Sequence, residues 1–189
     1  MITGVELVKY LLKNYGPLPQ KKLQKLAYMA EIEYIQKHGK RLSDLSFIKY
    51  YYGPYSLDIT SIEDLEEDII IKEEQSGSFA PKMSELVKGG DNNIDINPKV
   101  ADELNNLLKP YINKNGSQLA KTADNTEPFL EAKNLKDPLD LDGYAWYYKT
   151  INSDQFWEKV KEKDEENKKN NVYGKHIIKD DSELDALFS

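Results

Sequence analysis

Apolar positions recur at three- and four-residue steps from the first residues onward. Val5, Val8, Leu11, Leu12 and Tyr15 predict a helix that Thr3 can cap and that Gly16-Pro17 stops. A second amphipathic helix is predicted from near Pro19 to His38, with Leu23, Leu26, Ala27, Ala30 and Tyr34 on one stripe and Gly39 as its exit. Over residues 46–52 the pattern turns β-branched and aromatic and ends at Gly53-Pro54, which predicts a short strand running into a turn. Ser56 or Asp58 can cap a third helix that continues to Leu65. Ile69, Ile70 and Ile71, followed by Lys72 and Glu73, then predict one arm of a ribbon whose tip is QSGS at residues 75–78. Helix, helix, strand, helix, strand is the outline of a winged-helix-like core.

A polar linker, GGDNNIDIN, spans residues 89–97. Asn97 then caps a helix opened by Pro98 and carrying Val100, Leu104, Leu107 and Leu108. Shorter helical pieces follow over 117–122, 127–133 and 143–150, kept short by Pro128 and Pro138. The segment 153–170 carries Phe156, Trp157 and Val160 near its start and only charged and amide side chains thereafter. The fold class expected is mainly α with a small β ribbon, a winged-helix-like N-terminal core followed by additional C-terminal helices. Residues 1–152 form the helical domain, and residues 153–189 a charged helix and an acidic, flexible tail.

Charge narrows the partners. The 189-residue chain has a formal net charge of -7, and Arg41 is its one arginine, so the bidentate fork that reads guanine and phosphate is nearly missing. Lys21, Lys22, Lys25, Lys37, His38, Lys40 and Arg41 could turn the outer face of the second helix toward phosphates. Glu31 and Glu33 interrupt that patch, which favours a solvated helix exterior. The chain has no cysteine and opens with MITGVELVKYLLKNYG, in which apolar and charged residues alternate; both features suit a cytoplasmic protein with no membrane segment.

Candidate acids stand at Glu31 and Glu33, at Asp140 and Asp142, and at Asp180 and Asp181. Acids two apart on a helix point to different sides, and the two histidines, His38 and His176, lie far apart in sequence. No HExxH, glycine-rich phosphate loop or serine elbow is present. These features predict a non-catalytic protein with no cofactor and no metal site.

The stretch KYYYGPYS, residues 49–56, concentrates the aromatic signal. On a strand, Tyr50 and Tyr52 would share one face while Tyr51 takes the other. Core packing accounts for most of these rings. A phenol left in water, with Tyr55 beyond the Gly-Pro turn, is the kind of anchor found at binding hot spots.

Residues 22–56, KLQKLAYMAEIEYIQKHGKRLSDLSFIKYYYGPYS, resemble the Panacea antitoxin-like family, also called phage-associated-protein-like. The matching positions are Lys22, Leu23, Gln24, Lys25, Leu26, Tyr28, Glu31, Tyr34, Gly39, Tyr52, Gly53 and Pro54. SQLAKTADNTEPFLEA, residues 117–132, resembles the family's later segment. There Asp124 stands near where the family has a histidine, and Phe129 where it has a tryptophan. The resemblance implies a mostly helical fold with a small sheet, no enzymatic activity, and neutralisation of a toxin protein by direct contact. The protein-binding residues expected are Tyr28, Glu31, Tyr51, Tyr52, Pro54 and Tyr55, of which Tyr28, Glu31, Tyr52 and Pro54 are positions matching the family. The competing reading is a winged-helix-like, DNA-binding transcription regulator.

Overall fold

A computed structural model describes residues 1–73, 82–87 and 94–169, in which eight α-helices accompany three short strands. Two compact units are present, Met1–Lys149 and Thr150–Ser189. The ribbon tip predicted at residues 75–78, most of the 89–97 linker and the acidic end beyond residue 169 lie outside the described residues.

In the first unit, α1 (Gly4–Tyr15) starts with a capping box. Thr3 Oγ1 accepts from Glu6 N at 3.1 Å, and Glu6 Oε2 accepts from Thr3 N at 2.6 Å. Next comes β1 (Leu18–Pro19), a two-residue strand where the sequence pattern indicated only a helix stop. Proline is tolerated there because β1 lies at the sheet edge, in the order β1-β3-β2 with β2 (Ile69–Glu73) and β3 (Lys82–Leu86), all antiparallel. Leu18 pairs with Ser84, and Ile69 with Leu86.

The axis of the core is α2 (Gln20–His38). It packs against α1, the sheet, α4 (Pro98–Leu108) and α5 (Gly116–Ala123), and so it buries residues around its whole circumference, including Gln24, Lys25 and Glu31. This corrects the one-stripe reading. Gly39 ends α2 at φ 60°, where a Cβ would come within 2.3 Å of the Lys149 backbone. After α3 (Leu57–Leu65), capped by Ser56, come β2 and β3. The full order α1-β1-α2-α3-β2-β3 is that of a winged-helix core. The protein is mainly α with a small antiparallel sheet.

The strand predicted over residues 46–52 does not form. Phe47 turns inward to meet Tyr28 edge-on at 5.2 Å, and Ile48 makes isolated bridges to Tyr55 and Pro138. Lys49 N donates to Asp137 O at 2.9 Å and Lys136 N to Lys49 O at 2.7 Å. The backbone of this segment is thus satisfied piecemeal by Lys136, Asp137 and Leu139 and by its own turn, in which Gly53 N donates to Tyr50 O at 3.2 Å. Its aromatic, β-branched composition reflects packing demand and not a ladder.

Of the later helices, α4 is capped by Asn97. A second capping box, Asn115 with Gln118, opens α5. Short α6 (Glu127–Glu131) and α7 (Leu141–Ile151) follow. In the second unit, α8 (Asp154–Lys169) buries none of its residues; Phe156 meets Trp157 edge-on at 5.2 Å, and Trp157 Nε1 donates to Ile151 O at 2.7 Å. No helix among the described residues is long and apolar enough to cross a membrane.

Candidate functional site

The aromatic turn is held from below by the polar residues of α2. Gln24 lies one turn into the helix and fully inside, where its side-chain amide does what a neighbouring strand would do. Its Nε2 donates to Ser56 O at 3.0 Å while Oε1 accepts from Ser56 N at 2.8 Å. Next to it, Lys25 Nζ donates to Pro54 O at 2.5 Å. Burial pushes the Lys25 ammonium down to about 8, against a smaller upward pull from Asp124.

Gly53 is what lets these groups meet. At φ 88° it has no Cβ, and one placed there would sit 2.7 Å from Asp124 Oδ1 and 3.1 Å from Lys25 Cε. Asp124 Oδ1 is buried with no hydrogen-bond partner among the described residues, and burial raises the carboxyl's pKa against the opposing pull of Lys25.

The six residues expected to bind a partner separate sharply. Tyr51 and Tyr52 stand 73 % and 68 % exposed on the outside of the turn. Tyr50 contacts both Tyr51, edge-on at 5.4 Å, and Tyr55, at 5.3 Å. Tyr55 is half-buried, its hydroxyl 2.7 Å from Thr60 Oγ1, and Pro54 is buried with its carbonyl on Lys25.

Tyr28 and Glu31 have no surface to offer. Tyr28 is fully enclosed, its hydroxyl 2.6 Å from Thr126 Oγ1, and burial raises its pKa. Glu31, at 0 % exposure, accepts from Leu42 N at 3.2 Å, from Ser43 N at 2.7 Å, from the Ser43 hydroxyl and from Arg41 Nε at 3.2 Å. Burial lifts its pKa, and Arg41 opposes the lift. The contact role expected of these two is therefore replaced by an internal one: Glu31 stitches the 41–43 segment to α2.

The basic patch also resolves into internal contacts. Lys22 Nζ donates to Ile112 O at 2.6 Å, Lys37 and His38 both reach Glu103, at 2.6 and 2.8 Å, and Arg41 bridges Glu31, Asp142 and Leu45 O. Lys21 and Lys40 stay exposed, so the patch is part internal and part solvated. The candidate acids are dispersed in the same way: Glu33 accepts from the Tyr111 hydroxyl, and Asp140 Oδ1 accepts from Gly143 N at 2.8 Å at the start of α7. Asp180, Asp181 and His176 lie outside the described residues. Among the described residues no cluster of histidine and acidic side chains could hold a metal ion.

A pocket of about 240 Å³ opens between α2, the turn and α3, with Lys21, Lys25, Tyr50, Tyr52, Tyr55 and Glu63 in its walls. Lys21 is exposed and lies 5.2 Å from the centre of the Tyr52 ring. Sequence reasoning assigned Lys21 and Lys25 to an outer basic face. The signal it passed over is the placement of Gln24 and Lys25 between Leu23 and Leu26, polar groups set inside an apolar run.

The fold and the site define a mainly helical domain of winged-helix order that presents an aromatic turn on a base of buried polar contacts. Residues 23–128 match the family described as Antitoxin SocA-like, Panacea domain, and the chain belongs to that family. No curated protein and no solved structure matches it.

Proposed function

We propose that the chain is a non-catalytic, antitoxin-like module that neutralises a partner toxin by direct contact, using the face that carries Tyr51 and Tyr52. The observation that carries this reading is the exposure of two adjacent phenols on a turn that Gln24, Lys25 and Gly53 hold from beneath. Large aromatic side chains presented on a rigid base lose little freedom on binding and are enriched among residues that dominate interface energies. Membership of an antitoxin-like family supports a protein as the partner.

The winged-helix order makes DNA the natural competitor, and the composition of α3 argues against it. In helix-turn-helix proteins the second helix of the motif enters the major groove. Here α3, LDITSIEDL, exposes Asp58 and Asp64 and carries no lysine or arginine, so it would face phosphates with carboxylates.

Reading the neighbouring genes for a small toxic protein, and co-expressing any such protein with this chain, tests the proposal. The expected result is restored growth and a complex that co-purifies. Tyr51→Ala combined with Tyr52→Ala should lose both while unfolding at the same temperature as the parent. Growth that stays arrested with the unaltered chain at full expression would remove the reading.

A further inference from the structure

We propose that the pocket between α2 and the aromatic turn is a socket for an aspartate or glutamate side chain of the partner protein, its carboxylate seated against the ammonium groups of Lys25 and Lys21. The inference rests on the protein-partner reading above and deepens it.

Size excludes most alternatives. At about 240 Å³ the pocket falls below the roughly 300 Å³ at which sites for whole small molecules begin, and it suits a single side chain.

Charge selects the chemistry. Lys21 and Lys25 are four residues apart on α2 and so share a helix face, and both line the pocket. The acid in the wall, Glu63, is already engaged: it accepts from Gln20 Nε2 at 2.9 Å and from the Ser84 hydroxyl.

Unspent donors say where the carboxylate goes. Lys25 is 2 % exposed, yet its ammonium, which has three N–H donors, makes one hydrogen bond among the described residues, to Pro54 O. Among the described residues the nearby Asp124 Oδ1 does not accept from it, although its charge attracts both lysines. Among the described residues Lys21 has only a long contact with Ser117 Oγ at 3.4 Å besides the Tyr52 ring. An arriving carboxylate has enough lone pairs to accept from both lysines. The rings of Tyr50, Tyr52 and Tyr55 shield such bonds from water, which strengthens charge-assisted contacts.

The test needs no partner in its first arm. The isolated protein is titrated by NMR with N-acetyl-glutamate amide, with the neutral N-acetyl-glutamine amide and with inorganic phosphate. The expected result is a saturable shift at Tyr52 and at the Lys21 and Lys25 side chains with the glutamate probe alone, weakened about tenfold or more by Lys21→Gln. Lys21 is exposed, so this variant keeps the fold. An equal response to the glutamine probe, no response to either, or a response confined to phosphate overturns the socket.

In the second arm the partner's affinity is measured against Lys21→Gln and Lys21→Glu. A progressive loss supports the proposal, and an unchanged Kd in both variants overturns it. A partner that fails to bind at all removes the neutralisation reading alone, because the titration decides the socket without it.

Discussion

The side chain of Gln24 and the backbone of Ser56 exchange two hydrogen bonds, at 3.0 and 2.8 Å, inside the core. A glutamine on a helix thereby replaces the strand that the aromatic segment lacks. It fixes the exit of the turn at the residue that also caps α3. The position of the exposed tyrosines and the start of α3 depend on the same side chain.

Replacing that amide exposes the dependence. Gln24→Leu leaves both polar groups of Ser56 without their partner in a buried place, at a cost of about 2–4 kcal/mol. Urea unfolding should show a lower midpoint with an unchanged m-value. A variant as stable as the parent would mean that Ser56 finds other partners.

The positive-φ glycines form a graded series. Gly16→Ala meets nothing within 4 Å among the described residues, so its cost is the backbone strain of φ 74°, ψ -162°, a region almost confined to glycine, about 1–3 kcal/mol. Gly53→Ala adds contact with the Asp124 side chain, and Gly39→Ala drives a Cβ into the Lys149 backbone. Stability should fall in the order Gly16, Gly53, Gly39, read from thermal unfolding of the three variants. Gly39→Ala as mild as Gly16→Ala would contradict the close approach.

Lys25 makes stability depend on alkaline pH. Its pKa is about 8 in the folded chain against 10.5 unperturbed, so between those values the unfolded chain binds more protons. Its contribution is fully present above about 10.5 and is lost as pH falls through about 8. The stability of the parent relative to Lys25→Met should therefore rise across that window, and a flat difference would show that Lys25 is not desolvated. Comparison with the variant removes the opposite trend of the buried tyrosines, whose raised pKa values weaken the fold at higher pH.

The exposed phenols separate function from stability. Tyr51→Ala and Tyr52→Ala should each change unfolding free energy by less than about 0.5 kcal/mol, as surface substitutions do. At least one should weaken the partner complex by about 2 kcal/mol, roughly thirtyfold in Kd by calorimetry. Equal affinity in both would move the contact surface elsewhere on the domain.

Much of the helical framework was legible in the amino-acid order. The Thr3 cap, Asn97 before Pro98 and Gly39 after His38 act through neighbours within four residues, so their geometry is written locally. The ribbon arm at residues 69–73 was legible for the same reason, its run of isoleucines suiting a pleated surface.

What the chain could not announce by itself is which polar groups end up inside. Residues 46–52 have strand composition, but Lys136, Asp137 and Leu139 supply several of their backbone partners from far along the chain. Lys25 and Glu31 read as the wet side of an amphipathic helix. They are buried because the aromatic turn, the 41–43 segment and later helices close over α2 on every side. Local order determined the helices and their ends, since capping and periodicity are short-range. Only the tertiary structure decided that two tyrosines stay in water above a buried lysine, since burial depends on which distant surfaces meet.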